Sequence, residues 1–295
     1  MQIHQRFFKI YFSNNSRIFN FNEIRYLMKY YVILSCLFIC LFGCKKETKD
    51  TINQASTVDS TTVSKSEQNK IGKIKIHPIQ HATMVLEYEN TIVYVDPVGG
   101  KKAFENMPKP NIILVTDIHG DHFDVPTLET LYSKNVKIIV PNEVAAKLPE
   151  TLKPNTSIMS NGQNISMNSK TMAVTIEAIP MYNLREEALK FHEKGRGNGY
   201  VVTLGENRIY ISGDTEDIPE MRNLKNIDIA FVCMNLPYTM PVERAASAVL
   251  DFKPQKVYPY HYRGTEGLSD VKHFKNLVNK GDNTIEVVQL NWYPE

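Results

Sequence analysis

Asp117, His119, Asp121 and His122 fall within six consecutive positions, in the run Thr116-Asp117-Ile118-His119-Gly120-Asp121-His122-Phe123-Asp124. The apolar stretch 111–115 directly precedes them, so a strand would deliver all four side chains to one short loop. Imidazole nitrogens and carboxylate oxygens together suit a divalent cation, and a carboxylate beside an imidazole orients the ring and raises its basicity. The competing reading is a polar loop that caps the next helix, with Asp124 as N-cap. Two later strand ends carry the same chemistry: Asp214 follows the apolar run 208–211, and His261 follows 256–260. Taken singly, each is an ordinary loop residue or a satisfied histidine. Taken in order along the chain, they add a distant carboxylate and a distant imidazole to the first group.

Such residues need a scaffold that brings several strand ends together. Period-2 or continuously apolar runs predict strands over 73–77, 83–88, 91–95, 111–116, 137–140, 172–179, 199–204, 208–212, 227–232, 256–260 and 284–290. Glu89-Asn90 and Gly205-Glu206-Asn207 predict hairpin turns. Helical spacing predicts helices over 125–134, 142–148, 242–252 and 270–279, with Leu128, Leu131 and Tyr132, or Ala246, Val249 and Leu250, on their buried faces. Asn142 and Ser269 read as helix caps. Hairpins followed by strand–helix alternation imply a layered α/β domain rather than a pure doubly wound sheet.

Charge and cysteine usage narrow the function. Residues 1–43 hold five basic residues and one acidic, and the remainder counts 29 basic against 31 acidic. No basic surface is left to neutralise a phosphate backbone, so nucleic acid is not an expected partner. Cys36, Cys40 and Cys44 lie in or at the end of this leader and only Cys233 in the body, which excludes a disulfide framework and a cysteine-built zinc site. After Met28 comes a 13-residue uncharged apolar run, 30–42. It is too short to span a bilayer as a helix, which takes about 20 residues. The ending Leu41-Phe42-Gly43-Cys44 resembles a bacterial lipobox, which implies a lipoprotein signal peptide over 28–43 and a lipidated Cys44. Residues 1–27 precede this second Met and read as a start-site artefact. Residues 45–70 hold no aromatic residue, so 44–71 reads as the lipidated Cys and a disordered tether, and 72–295 as the folded domain. The expected location is the bacterial cell envelope, anchored to the membrane by lipid, with the domain in the periplasm or at the cell surface. Lys45 in place of a retaining Asp favours the outer membrane by the habit of such lipoproteins.

The order Asp117-x-His119-x-Asp121-His122, then Ser212-Gly213-Asp214-Thr215, then Tyr260-His261-Tyr262, resembles the metallo-β-lactamase superfamily over about 74–292. His81-Ala82-Thr83, followed by a hairpin ending in Val95-Asp96-Pro97, is similar to the branch containing N-acyl-phosphatidylethanolamine phospholipase D and L-ascorbate-6-phosphate lactonase. The resemblance implies an α/β fold, a four-layer αβ/βα sandwich with the metal site at the strand ends. It implies a metal-dependent hydrolase with one or two divalent ions, zinc foremost and manganese or iron as alternatives. It further implies His119 as a ligand of the first site, Asp121, His122 and His261 as ligands of the second, and Asp214 as the bridging carboxylate.

Two departures from the pattern follow. Asp117 stands where its first histidine belongs, and Tyr182-Asn183 where its third is expected. Asp117 can still ligate, whereas Asn183 offers only a carbonyl oxygen. His192, on the glycine-rich loop 191–200, is the candidate to supply the missing imidazole or to donate a proton; the bland alternative is an exposed histidine on that loop. Arg196 is expected to read an anionic substrate group, and Tyr182, Asn183, Asn235, Tyr238 and Arg263 to line the substrate pocket. His81 either reaches the site or packs beside it, and His77 and His273 read as structural. The expected reaction is attack of metal-activated water, oriented by Asp121 or Asp214, on an ester or phosphodiester such as a lactone, sugar phosphate or phospholipid-like molecule. His192, Tyr182 or a metal-bound water would protonate the leaving group. The alternative is a catalytically degenerate lipoprotein that binds a ligand or partner through the same cleft. The two lost imidazoles motivate it, and the six retained candidate ligands oppose it.

Overall fold

Residues 74–169 and 172–294 are described in the computed structural model. The start-site segment, the signal peptide, the lipid-bearing Cys44 and the tether expected over 1–71 lie outside the described residues. One sheet holds β1 (Ile74–Gln80), β2 (Thr83–Tyr88), β3 (Thr91–Val95), β4 (Ile112–Leu114), β5 (Lys137–Val140) and β6 (Thr156–Ile158) in chain order. Its first three strands form an antiparallel meander, and β3 to β6 run parallel. The remaining strands are β7 (Asn164–Asn168), β8 (Ala173–Met181), β9 (Gly197–Leu204), β10 (Asn207–Ile211), β11 (Ile229–Cys233), β12 (Lys256–Tyr260), β13 (Arg263–Gly264), β14 (Gly267–Leu268) and β15 (Glu286–Val287). The second sheet has the order β15-β12-β11-β10-β9-β8-β7, and β13 with β14 forms a small separate hairpin.

Side-chain alternation explains the layers. Val93, Val95, Ile112, Leu114 and Ile139 face the core shared with the second sheet, while Ile92, Tyr94, Ile113, Val115, Ile138 and Val140 face a smaller core on the other side. That smaller core is closed by Leu128 of α2 (Val125–Leu131) and Val144 of α3 (Asn142–Ala145), with α1 (Gly100–Ala103) preceding them in the chain. Strands apolar on both faces are the mark of a parallel sheet covered on both sides. After α4 (Pro219–Arg222), the helix α5 (Val242–Phe252) buries Val242, Ala245, Ala246, Val249 and Phe252, one stripe at helical spacing. Its Phe252 meets Tyr210 of β10 edge to face, ring centroids 5.9 Å apart. The helix α6 (Val271–Gly281) adds Phe274 and Val278. The architecture is the four-layer αβ/βα sandwich.

Several local expectations are corrected. Strand β6 and helices α1 and α4 are too short to leave a periodic signal, whereas β7 alternates polar and apolar residues over Asn164–Asn168, a signal that sequence reasoning missed. Asn142 is the first helical residue and Pro141 its N-cap, while Asp270 rather than Ser269 caps α6, its carboxylate accepting the His273 amide at 2.9 Å. The expected strand over 284–290 shortens to β15. Among the described residues no helix is long and apolar enough to cross a membrane.

The carboxyl ends of β3 and β4 in one sheet, and of the parallel β10, β11 and β12 in the other, lead to Asp96, the 115–122 loop, Asp214, Asn235 and His261. A crevice beyond the carboxyl ends of parallel strands is where α/β folds bind ligands.

Candidate metal centre

Three residues at these strand ends adopt left-handed backbone: His81 (φ 51°), Asp96 (φ 44°) and His261 (φ 46°). Such conformations cost non-glycine residues about 1–3 kcal/mol each and concentrate where a site demands them. Gly213 (φ 60°) turns the chain from β10 to Asp214 in a left-handed conformation that favours glycine, and a Cβ there would crowd Met181 Sδ at 2.7 Å and Thr116 Cβ at 3.2 Å.

The turns converge on one cluster. His122 Nε2 lies 3.1 Å from His261 Nε2 and 3.4 Å from Asp214 Oδ2, and His261 Nε2 lies 3.2 Å from Asp214 Oδ1 and 3.3 Å from Asp121 Oδ2. On the far side of Asp214, His192 Nε2 is 3.2 Å from Oδ2 and 4.0 Å from Asp117 Oδ2, while His119 Nδ1 is 2.9 Å from the same Asp117 oxygen. Ligand atoms about 2 Å from a tetrahedral ion sit roughly 3.3 Å from one another. The donors therefore have the spacing of ligands around a cation, in two groups that share access to Asp214: His122, Asp214 and His261, and Asp117, His119 and His192. Asp214 Oδ1 and His192 Nε2, both among the cluster's donor atoms, are buried and lack a partner at hydrogen-bond geometry. Buried polar atoms are ordinarily satisfied, so this residue set fits a divalent ion.

Outer partners aim the rings inward. His122 Nδ1 lies 2.8 Å from Asp96 Oδ2, and Asp96 is held by the Thr116 amide and hydroxyl, both at 2.7 Å. In the neutral ring this carboxylate–imidazole pair keeps the proton on Nδ1, so that Nε2 would be the atom to meet a cation once the second proton is displaced. His192 Nδ1 lies 3.1 Å from the Tyr238 carbonyl, so it donates there and the neutral ring presents a bare Nε2.

Charge follows the same pattern. Burial pushes the Asp214 carboxyl up, but the His261 and His122 imidazoles outweigh it and hold it well below the usual carboxylate range. Burial is likewise overcome at Asp121, by hydrogen bonds from His261 and His81. Against burial, the His119 hydrogen bond and the charges of His122 and Arg196 bring Asp117 to about 2. Burial pulls His122 down, but Asp214 and Asp96 carry it well above its ordinary value. Burial lowers His81. Ionised carboxylates thus face an imidazole that holds its proton, and a cation can replace that proton.

A cleft of about 320 Å³ opens on the cluster, lined by His81, His119, Asp121, His192 and Asp214 together with Phe191, Asn235, Tyr238 and Arg263. His192 is buried rather than an exposed loop residue. Tyr182, Asn183 and Arg196, expected against substrate, do not line the cleft. Tyr182 donates to Glu220 at 3.0 Å, the Asn183 amide nitrogen donates to the carbonyls of Ala188 and Tyr238, and Arg196 pairs with Asp117 at 2.8 Å. His77 and His273 pair with Glu87 and Glu243 at 3.4 and 3.3 Å. Burial lifts the Cys233 thiol to about 12, which removes it as a ligand or nucleophile.

Sequence reasoning missed Asp96, Phe191 and Tyr293. Asp96 carried a usable signal, a lone carboxylate at the end of an apolar strand. Tyr293, whose hydroxyl lies 2.7 Å from His81 Nδ1, carried none, because 212 positions separate the two.

Sandwich, strand-end cluster and cleft together define a metal-dependent hydrolase. The family described as Beta-lactamase superfamily domain matches residues 91–262, more than half of the chain, and the protein belongs to this metallo-β-lactamase superfamily. The chain is 30% identical over 230 residues to a UPF0173 metal-dependent hydrolase of Pyrococcus horikoshii, spanning 74% of this chain and 96% of that one. A crystal structure from Parabacteroides distasonis, of a protein named as a metal-dependent hydrolase, aligns with TM-score 0.65 and 36% identity over 75% of this chain and 94% of that one. The metallo hydrolase Igni18 of Ignicoccus hospitalis shares the fold at TM-score 0.62 and 20% identity, over 74% and 94% of the two chains.

Proposed function

We propose that the protein hydrolyses an ester or phosphodiester of a small anionic molecule, the class of the phospholipase and lactonase branch that His81-Ala82-Thr83 and Val95-Asp96-Pro97 resemble. The observation that carries this reading is the spacing of His122, His261 and Asp214, of which Asp214 lines a cleft that Arg263 also lines. A divalent ion, zinc foremost, would be held by His122, His261, Asp214 and Asp121, and a second by Asp117, His119, His192 and Asp214; when bound, such an ion would supply Lewis acidity and lower the pKa of water toward neutral. Asp121, its side chain 41% exposed, would orient the attacking water. His192, its Nδ1 proton engaged by the Tyr238 carbonyl, serves as a ligand rather than a proton donor. The Arg263 guanidinium, 4.1 Å over the Tyr293 ring, takes the anionic group, with Tyr238 and Asn235 beside it. Anchoring at Cys44 in the cell envelope belongs to the same proposal and is supported by the lipobox-like run before it.

The test is metal content per chain before and after chelation, paired with turnover of bis(p-nitrophenyl) phosphate and of a p-nitrophenyl ester. Chelator-sensitive turnover of either, restored by zinc, is the expected result. Asp214→Ala and His261→Ala should each lose at least one ion and roughly a thousandfold in turnover, several kcal/mol of stabilisation at tenfold per 1.4 kcal/mol. Undiminished metal content in both variants would remove the ligand assignment.

A further inference from the structure

His81 sits within ligand distance of the cluster: its Nε2 is 3.3 Å from Asp121 Oδ2, and its ring stacks on His261 with centroids 3.8 Å apart. With Asp121 and His261 it forms a third group whose donor atoms could hold an ion. The hydrogen bonds on its other nitrogen decide otherwise. The Tyr293 phenol oxygen accepts the backbone N–H groups of Tyr262 and Arg263, both at 3.0 Å. A phenol oxygen has two lone pairs and one proton. Both lone pairs are engaged by N–H donors, so the contact of 2.7 Å to His81 Nδ1 must carry the phenol's own proton.

We propose that Tyr293 locks His81 in the Nε2–H tautomer, so that His81 is not a metal ligand but a positioning residue that donates to Asp121 and holds its carboxylate toward the metal centre. With Nδ1 accepting, the neutral ring carries its proton on Nε2, which leaves no lone pair there for a cation. An imidazolium would set an Nδ1 proton against a phenol with no free lone pair. Backbone contacts fix the ring's seat: the His81 amide faces the Trp292 carbonyl at 3.4 Å, and its carbonyl accepts the His261 amide at 3.3 Å. The carboxyl-terminal residues thereby reach the site through one proton, the kind of outer-sphere support that conditions a ligating carboxylate. His81 thus differs from His122 and His192, whose Nδ1 atoms face acceptors, so that in their neutral rings Nε2 is the atom left for a cation.

The inference rests on the metal centre but not on the substrate class. Selective 15N-histidine labelling of the full chain, with the His81 signal assigned by its loss in His81→Gln, reads the tautomer directly with and without zinc. The expected result is a protonated, pyrrole-type Nε2 and a bare Nδ1 in both states. A protonated Nδ1, or an Nε2 that takes on a zinc-bound shift, would overturn the proposal. Zinc titration supplies the second arm. His81→Gln, whose amide N–H mimics Nε2–H, should keep wild-type stoichiometry and affinity. His81→Ala should keep the stoichiometry but bind roughly 10–100-fold more weakly. Loss of an ion in both variants would identify a ligand instead. Failure of the wild-type chain to bind zinc would refute the metal centre itself, and the tautomer would still be readable.

Discussion

Arg196 grips Asp117 with two hydrogen bonds, Nε to Oδ1 at 3.1 Å and Nη2 to Oδ2 at 2.8 Å. Asp117 is fully buried, and it stands where the superfamily pattern places an imidazole. The guanidinium therefore compensates a charge that a histidine would not have brought. Removing one partner of a buried pair strands the other. Arg196→Met should lower the stability of chelated protein by about 3 kcal/mol, or roughly 10 °C in Tm, and zinc should restore much of it by taking over as counter-charge. Thermal unfolding of both chains, chelated and zinc-loaded, checks this. Equal Tm values in chelator would show that the pair is not stabilising.

Asp96 acts on the metal centre without facing the cleft. Its Oδ2 meets both His122 Nδ1 and the Thr116 hydroxyl, while its Oδ1 takes the Thr116 amide. In Asp96→Asn the oxygen stays with that amide and an NH2 group meets His122, which drives the ring proton onto Nε2 and blocks its lone pair. Metal affinity should drop by about 10–100-fold at unchanged fold, as read by chelator competition and circular dichroism. Unaltered affinity would count against the carboxylate–imidazole arrangement.

The charge pattern sets a pH dependence. Asp214 and Asp96 hold His122 well above 6.5 despite burial. A cation must displace that proton, so apparent zinc affinity should rise with pH, by up to tenfold per unit below the His122 pKa. The stability of chelated protein should move the other way. A raised histidine contributes fully below its unfolded value near 6.5, and the contribution is lost as pH rises through the folded value. Calorimetric titrations between about pH 6 and 8 test the first statement and chelated Tm over the same window the second. A zinc affinity flat in pH would contradict the assignment of His122.

Envelope anchoring is tested away from the site. Cys44→Ser should move the protein from the membrane fraction to the soluble one while leaving turnover per molecule unchanged, since one acyl-bearing residue carries the attachment. A variant that still sediments with membranes would discard the lipid anchor.

The sequence by itself determined which segments are strands and which loops carry donors. Apolar runs such as 91–95 and 137–140 record burial on both faces, and a donor-rich loop directly after a strand is a local pattern. Asp117, His119, Asp121 and His122 were legible for that reason, as were Asp214 and His261. Short elements such as β6 and α4 were not, because a few residues cannot display a period; β7 did carry a period-2 pattern that sequence reasoning missed.

Only the tertiary structure decided which donors meet. Two sheets packed face to face bring Arg196 to Asp117 across 79 positions and Tyr293 to His81 across 212. A side chain's partner in such a pairing depends on sheet packing and left-handed turns, which hydrophobic periodicity does not encode. Arg196, Asn183 and Tyr182, expected against substrate, are instead engaged by other parts of the protein and do not line the cleft. Each lies on a segment near the site, but packing turned the polar atoms toward Asp117, toward the carbonyls of Ala188 and Tyr238, and toward Glu220. Chain position told which residues could do chemistry; the contact of one sheet with the other told which of them have lone pairs left to do it.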